Sequence, residues 1–492
     1  MDTWRSLALI LILTAACGPA PGEDLLEEVQ AWESSSQDLP GWRPCQTTPS
    51  LTADIRPGPL GSRPRELVDA AGGLFFTADD GTHGRELWMS LGRGATFLVK
   101  DIRPGVATSN PRRLVTAGDR LFFTAEDGVH GRELWVSDGT AAGTVMVKDI
   151  WPGAIGSAPD QLLAFGDAVY FAANDGRNGN ELWRSDGTPE GTFLVEDLYP
   201  GEDPSNPGTP ASSNPRRLAR VDDALYFLAN EGGFVHVWRS QGRSSATRIF
   251  TGSEEAFLFS FTAAGQSLFF LVDDHQGEAS LWRSRGRHTE YLSSFPGLYP
   301  HDLAAVGRKL LFSAGAGEED HPGDPRGEEL WVSDGTERGT ELLKDLWPGS
   351  ASSAPASFVA LNGWLYFTAQ EGAHGRELWR TDGTARDTTL FRELVPGPQG
   401  SSPQGLTEAF GRLFFSADTP GRGREPWMSD GTRSGTVPLR ELAAGEASSD
   451  PQAFTPSGWE VFFTATEAEH GEELWALSFR SWGRCRDRDW KW

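Results

Sequence analysis

Cysteine is scarce in this chain, and its few copies are far apart. The 492 residues contain only Cys17, Cys45 and Cys485, with no two cysteines close enough for a CxxC motif. This spacing excludes a zinc ribbon and a thioredoxin-type redox motif, because both need neighbouring thiols. Cys45 and Cys485 lie near opposite ends of the chain, and in an oxidising compartment we expect them to form a disulfide. The cysteine content therefore favours an exported protein.

Basic residues are also in short supply. Lysine and arginine together number 44 against 69 acidic residues, which gives a formal net charge of −25. Nucleic acids and anionic lipid surfaces are bound mainly through lysine and arginine, so the composition disfavours both as partners. An acidic surface remains compatible with divalent cations or basic partners, and it also serves plain solubility.

Long apolar runs are absent. The longest apolar stretch of the chain is short and lies at the N-terminus. The run from Leu7 to Leu13 is too short to span a bilayer and is typical of a signal-peptide core. It is followed by LTAAC, which is similar to a bacterial lipobox, although Thr14 stands where such motifs usually carry leucine. We expect residues 1–16 to be a signal peptide and Cys17 to carry the lipid. The alternative is ordinary secretion after cleavage near Ala16 or Ala20.

Residues 17–49 are rich in proline, serine and acidic side chains, which is typical of a tether. We therefore expect a protein that is held in the bacterial cell envelope by its lipid anchor only, with secretion as the alternative. No other membrane contact is expected.

What the chain has in abundance is a repeat of about 48 residues, rich in glycine and aromatic residues. The second copy reads LFFTAEDGVHGRELWVSDGTAAGT from Leu121. The tryptophan of its Leu-Trp pair marks the copies along the chain: Trp88, Trp135, Trp183, Trp238, Trp282, Trp331, Trp379, Trp427 and Trp475. This period is in the range of propeller blades and is longer than that of the common helical repeats.

Each copy divides into four short strands separated by turn residues. In the second copy these strands begin at Arg112, Arg120, Glu133 and Val145, and glycine or aspartate follows where the apolar runs stop. A sheet of four strands with two apolar faces is marginal alone, but repetition around an axis covers both faces of every sheet. The pattern predicts an all-β protein, a closed β-propeller of four-stranded blades. We expect the tryptophan to pack between blades.

The ends of the array complement each other. It begins with LTADIRPG (Leu51–Gly58), which is similar to a fourth strand, and the last copy ends after its third strand. Docking the N-terminal strand on the last copy would close the ring. We predict nine blades within residues 50–480, followed by a tail at 481–492. Eight blades with one copy displaced is the alternative, because copies four and five are degenerate.

A loop of the form DGxHGRELW precedes the third strand in several copies. Its aspartate and glycines could offer oxygens to calcium, so Asp80, Asp127 and Asp175 are candidate calcium ligands. The alternative is a turn in which the carboxylate caps loop amides and glycine supplies positive φ. No cofactor other than calcium is expected. The glutamate of the same motif, such as Glu133, is expected to bind loop amides or an arginine of a neighbouring blade.

Motifs of nucleophilic or metal-dependent catalysis are missing. The chain has no GxSxG and no HExxH, and the serines of the SDGT turns have no base at fixed spacing. Acidic residues lie chiefly in the repeated loops, whereas catalysis needs a unique constellation. We therefore favour a binding or scaffolding module over an enzyme. The alternatives are a hydrolase or lyase acting on extracellular polysaccharide through paired carboxylates, or an array stiffened by calcium.

Copies four and five depart from the repeat. They have lost both loop motifs and carry positive charge on an otherwise acidic molecule, and insertions flank them. Degenerate blades with enlarged loops can form a partner surface, with drift in a tolerant array as the alternative. The arginines predicted to form this surface are Arg239, Arg243, Arg283, Arg285 and Arg287.

The recurring ELWxSDGTxxGT…VKDIxPG pattern resembles the bacterial ELWxxDGT repeat family of exported proteins. It is clearest at Glu133–Gly153, Glu181–Gly201 and Glu329–Gly349, whereas Pro426 replaces the leucine of ELW in the eighth copy. The resemblance implies a cell-surface or secreted repeat protein and offers no catalytic residues. We expect a monomer that binds a protein or a glycan at the cell surface.

Overall fold

The computed structural model describes residues 42–44, 48–92, 94–242, 246–251, 257–273, 278–315 and 327–481. The chain divides into a large unit, Gln46–Ser478, and a small unit made of Met1–Cys45 and Phe479–Trp492. In the small unit, strand β1 (Trp42–Pro44) pairs antiparallel with residues 479–481. The predicted signal peptide and the predicted lipidation residue Cys17 lie outside the described residues, as do Cys45 and Cys485 of the predicted disulfide.

The large unit is built from consecutive antiparallel sheets, numbered here as blades. Blades 1 to 4 are β3–β6 (Arg65–Ala70, Gly73–Asp79, Arg85–Ser90, Thr96–Lys100), β7–β10 (Arg112–Ala117, Arg120–Glu126, Arg132–Ser137, Val145–Lys148), β11–β14 (Asp160–Phe165, Ala168–Asn174, Asn180–Ser185, Phe193–Glu196) and β15–β18 (Arg216–Val221, Ala224–Glu231, Phe234–Ser240, Ala246–Thr251). The strands of each blade are called first to fourth in chain order.

The second half of the array continues in the same way. Blades 5 to 8 are β19–β22 (Phe257–Ala264, Ser267–Asp273, Glu278–Arg285, His288–Pro296), β23–β26 (Tyr299–Val306, Lys309–Gly315, Glu329–Ser333, Thr340–Lys344), β27–β30 (Ala356–Leu361, Trp364–Glu371, Gly375–Thr381, Thr389–Arg392) and β31–β34 (Gln404–Ala409, Arg412–Thr419, Gly423–Ser429, Thr436–Pro438). Blade 9 consists of β35–β37 (Gln452–Ser457, Glu460–Glu467, Gly471–Ser481) together with β2 (Ser50–Leu51).

The blades form a ring. The first strand of every blade lies beside the first strand of the next, and β35 of blade 9 lies beside β3 of blade 1. Apolar side chains of blades 9 and 1 share one core cluster, which includes Leu474 and Phe76. The described residues form no helix, so none is available to cross a membrane. The prediction of an all-β propeller is confirmed, and the number of blades is nine rather than eight.

Each second strand is buried because neighbouring blades cover both of its faces. In blade 2, Phe122 and Phe123 are fully buried and point to opposite faces, as alternation along a strand requires. Phe123 and Trp135 pack with Phe75 and Leu87 of blade 1 in one cluster. Trp135 is therefore packed between blades, as predicted. Burying an aromatic side chain of this size contributes roughly 2–3 kcal/mol, so the interfaces between blades hold the ring together.

The N-terminal strand is shorter than predicted. Only Ser50 and Leu51 pair with β37, opposite Ala476 and Trp475, and the rest of Leu51–Gly58 is not a strand. Pro49 precedes the pair and has no N–H, which accounts for the abrupt start. Beyond the strand, the backbone N–H and the hydroxyl of Thr52 both donate to the carbonyl of Leu474, at 2.9 and 2.8 Å.

A bulge with left-handed backbone recurs near the start of every first strand. The pairing with the second strand shifts there, and one residue takes φ between 51° and 64°. These residues are Glu66, Arg113, Gln161, Arg217, Ser260, Asp302, Ser357, Gly405 and Ala453. Some are tied to the next blade, since Gln161 Oε1 accepts from the backbone N–H of Arg217 at 3.0 Å. We call this set the inner bulge ring.

Candidate functional site

Each blade presents two chemically different ends. Because neighbouring strands run antiparallel, the turns after the first and third strands lie at one end of the blade. The loop after the second strand and the link to the next blade lie at the other end. We call these ends the turn face and the loop face. The SDGT turns belong to the turn face, and the DGxHGR loops belong to the loop face.

On the loop face, the candidate calcium ligands are engaged within their own loops. Asp80 Oδ1 accepts from the backbone N–H groups of Thr82 and His83, both at 2.8 Å, and Oδ2 lies 2.7 Å from His83 Nδ1. Asp127 makes the same contacts with Val129 and His130. This is the geometry of a carboxylate that caps a turn.

Asp175 follows the same pattern and completes the set. Its Oδ1 accepts from the backbone N–H groups of Arg177 and Asn178 at 2.9 and 2.8 Å, and Asn178 Nδ2 donates to Oδ2 at 2.7 Å. The three aspartates lie on blades 1, 2 and 3 and are not brought together. In the described part of the chain, no group of three or more His, Cys, Asp or Glu residues is arranged to hold a metal ion. Calcium binding stays a prediction.

The same contacts set the charge of these loops. Burial alone would raise the pKa of Asp80, but the hydrogen bonds from His83 and Thr82 outweigh it and hold that pKa below its ordinary value. The bond to Asp80 in turn raises the pKa of His83. The loop face therefore carries a carboxylate paired with a histidine on several blades.

The glutamate of the ELW motif is a buried clamp between the third strand and the link to the next blade. Glu133 is fully buried; its Oε1 accepts from the backbone N–H groups of Ser157 and Trp151 at 2.8 and 3.2 Å, and its Oε2 accepts from Ser157 Oγ at 2.5 Å. Loop amides are thus the partners, and no arginine is needed. The same clamp is made by Glu86, Glu181, Glu329, Glu377, Glu425 and Glu473.

The clamps predict a pH dependence of stability. Burial raises the pKa of Glu86, Glu181 and Glu329 to about 7 despite their hydrogen bonds. A carboxyl whose pKa is raised by folding stabilises the folded protein below its unfolded pKa, and this contribution is lost as the pH rises through about 7. We expect the urea midpoint of unfolding to fall between about pH 5 and about pH 8, and the Glu181→Gln variant to show a shallower fall. A midpoint that rises over this window would contradict the expectation.

On the turn face, two of the arginines predicted to form a partner surface pack against their own blade instead of facing solvent. Arg239 is 15% exposed in its side chain, lies over the Tyr226 ring and donates to the Tyr226 hydroxyl at 3.3 Å. Arg283 is held by Glu290, with contacts of 2.9 and 2.5 Å. Both therefore support the blades that carry them. Arg243 lies outside the described residues.

The other two predicted arginines face solvent. Arg285 is exposed and donates to Gln266 Oε1 at 2.7 Å. Arg287 is exposed at the tip of the hairpin between β21 and β22, and no hydrogen bond or ion pair to another described residue holds it. Its guanidinium is available to a partner.

Sequence reasoning missed three further basic residues on the turn face. His288 is exposed beside Arg287, Arg308 is exposed in the first turn of blade 6, and Arg220 is exposed at the first turn of blade 4. Aligning the first turns would have revealed Arg308, because Asp119 and Asp167 stand at the same position in blades 2 and 3. We call Arg220, Arg285, Arg287, His288 and Arg308 the basic surface.

The SDGT turns of several blades place an aspartate on this face. Asp138 of the SDGT turn accepts from the backbone N–H and the hydroxyl of Thr140, and these bonds lower its pKa. Asp186, Asp334 and Asp382 have lowered pKa values through the equivalent threonines. Blade 5 has Gly286 and Arg287 in place of such a turn. The hairpin between the third and fourth strands of blade 5 is therefore basic, with Arg285, Arg287 and His288 and no acidic residue.

Comparison with known proteins finds distantly similar solved structures and no matching family. No protein-family model matches the chain, and no curated protein matches it. A solved prolyl endopeptidase is 11% identical, with a TM-score of 0.41; the match covers 73% of this chain and 54% of that one. The acylaminoacyl peptidase of Pyrococcus horikoshii is 14% identical, with a TM-score of 0.36 and coverage of 72% and 57%.

A third solved structure is a propeller domain on its own. The β-propeller domain of the trilobed protease of Pyrococcus furiosus is 12% identical, with a TM-score of 0.36; the match covers 68% of this chain and 98% of that domain. The chain thus spans little more than half the length of the first two peptidases. The peptidase activities in these names belong to those proteins.

Proposed function

We propose that this protein is an exported β-propeller, anchored in the cell envelope through a lipid on Cys17, that binds a negatively charged protein or glycan at the cell surface. Membership of the ELWxxDGT repeat family is part of the proposal. The supporting observation is the exposed guanidinium of Arg287, which has no partner among the described residues and stands where other blades carry an acidic turn. A basic hairpin among turns that carry aspartates favours an anionic partner in a defined orientation.

The placement of carboxylates in the inner bulge ring favours a binding role over catalysis. Carboxylates occur there at Glu66 and Asp302, on blades 1 and 6, with several blades between them on either side. Glycoside hydrolysis needs two carboxyl groups close enough to flank one bond. The bulge positions do not offer such a pair. The hydrolase and the calcium-stiffened array stay predictions without a supporting contact.

Charge reversal on the basic surface tests the proposal. We expect the full chain to bind poly-L-glutamate in a salt-dependent way, and the Arg285→Glu/Arg287→Glu variant to bind it at least about tenfold more weakly. Surface plasmon resonance with the protein immobilised measures both affinities.

A matched control comes from the same face. Arg386 is 89% exposed in the SDGT-type turn of blade 7, and Arg433 is exposed in that of blade 8, so the Arg386→Glu/Arg433→Glu variant changes the net charge by the same amount but outside the basic surface. We expect this variant to retain the original affinity. If both variants lose affinity alike, or if poly-L-glutamate does not bind, the proposed role of the basic surface is wrong.

A further inference from the structure

A cavity lies at the rim of blade 8, on the side of the loop face. It has a volume of about 220 Å³, enough for a single six-membered ring with substituents. Side chains of the loop after β32 and of the chain around the end of β34 line it, among them Pro420, Arg422, Trp427, Pro438, Arg440 and Glu441. This region is separate from the basic surface, which lies on blades 4 to 6.

Two prolines that depart from the repeat account for the opening. Pro426 replaces the leucine of ELW, and Pro438 stands in the fourth strand opposite Trp427. Neither has an N–H for the ladder, so the fourth strand is only the three residues of β34, and the next hydrogen bond runs from the Leu439 N–H to the Pro426 carbonyl at 2.8 Å. The fourth strand of this blade is therefore one residue shorter than that of blade 7.

Arg440 lacks the hydrogen bond to the next blade that the residue at the same repeat position makes in other blades. Lys100, Lys148 and Lys344 occupy the same place in blades 1, 2 and 6, and each Nζ donates to a threonine carbonyl in the turn of the next blade, at 2.6–2.7 Å. In blade 9, β37 runs on through Ser481 without that turn. Arg440 is exposed and makes no hydrogen bond or ion pair with another described residue.

The acidic residues of the cavity are already engaged. Glu425 is buried and accepts from the backbone N–H groups of Leu442 and Ala443. Glu441 accepts from the Gly445 N–H at 2.8 Å and lies 3.8 Å from Arg422 Nε. One guanidinium, that of Arg440, thus remains without a counter-charge beside Arg422. The cavity offers two guanidinium groups and an apolar wall from the exposed ring of Pro438, with the buried Trp427 at its base.

We propose that this cavity binds one uronate residue of an acidic glycan. A guanidinium fork matches a carboxylate in two parallel hydrogen bonds, and the exposed pyrrolidine ring of Pro438 can contact the C–H face of a sugar ring. The volume fits one such ring, and the cavity opens at the rim of the blade. Arg440 binds the carboxylate, and Arg422 orients it.

Isothermal titration with trigalacturonate and the full chain tests this site. We expect binding of trigalacturonate and at least about tenfold weaker binding of neutral maltotriose, a difference of about 1.4 kcal/mol or more, because only the acidic sugar can form a charge-assisted pair with Arg440. Arg440→Gln should lose about tenfold in affinity for trigalacturonate and leave the weak maltotriose binding unchanged.

Controls separate this proposal from the proposed function. Lys344→Gln removes a charge at the same repeat position in blade 6 and should leave trigalacturonate binding intact. Arg285→Glu/Arg287→Glu should also leave it intact, so either proposal can fail alone. Equal affinity for the acidic and the neutral trisaccharide, unchanged binding by Arg440→Gln, or tighter Arg440-dependent binding of a peptide C-terminus would overturn the uronate site.

Discussion

Replacing Gly131 by alanine is expected to destabilise the propeller by about 3 kcal/mol or more. Gly131 has φ of +68°, and a Cβ there would lie 2.6 Å from both the backbone N of Gly156 and the carbonyl carbon of Ile155. The obstacle is backbone of the link between blades, which cannot rotate away as a side chain can. The left-handed conformation adds its own cost for any residue with a Cβ. Urea unfolding followed by tryptophan fluorescence measures the loss.

Gly118 provides the matched control. It also has positive φ, +61°, but the nearest atom to its added Cβ is 3.9 Å away. Gly118→Ala should therefore cost only the backbone term, about 1 kcal/mol. Equal losses in the two variants would mean that the close approach of the links contributes nothing beyond the left-handed backbone.

Removing the carboxylate of Glu133 is expected to cost about 3 kcal/mol or more in the free energy of unfolding. The Glu133→Ala variant leaves the Ser157 N–H, the Trp151 N–H and the Ser157 hydroxyl without their acceptor at a buried site. A buried donor that has lost its acceptor costs the folded state the full desolvation penalty of that group, and the missing side chain also leaves a cavity. Equilibrium unfolding in urea gives the value.

Glu126→Ala is the comparison for this variant. Glu126 is in the same blade, pairs with Arg132 at 2.8 Å and has a side chain that is 39% exposed. An ion pair of this exposure contributes about 1 kcal/mol at most. A loss at Glu133 no larger than that at Glu126 would show that the clamp is not a principal support of the ring.

Much of the fold could be predicted because the repeat encodes it redundantly. The tryptophan spacing and the apolar second strands, such as Leu121–Phe123, specify blades and their number. The inner bulge ring could not be predicted. Glu66, Arg113 and Gln161 have no intrinsic preference for positive φ, so packing of the first strands around the axis imposes that conformation against local preference.

The candidate site was predictable only in outline. The sequence identifies the arginines of copies four and five, but packing decides which of them reach solvent, and it buries Arg239 against Tyr226 while exposing Arg287. The sequence around Arg440 does not indicate a binding site. Arg440 is left without a hydrogen-bond acceptor in the next blade because the turn that supplies it in other blades is missing from blade 9. Contacts between different repeats are the information that a single repeat does not contain.

The seam between the last blade and the first has a consequence for how the chain folds. Each blade forms from strands that are close neighbours in the chain, so its contacts are local and are made quickly. The bonds of Ser62 to Glu473, by contrast, join residues 411 positions apart. The chain must lose far more conformational entropy to make them. Until blade 9 packs against blade 1, the outer faces of these two blades have no partner, so no packing energy offsets that cost. We expect the seam to form last during refolding and to be the step that limits its rate.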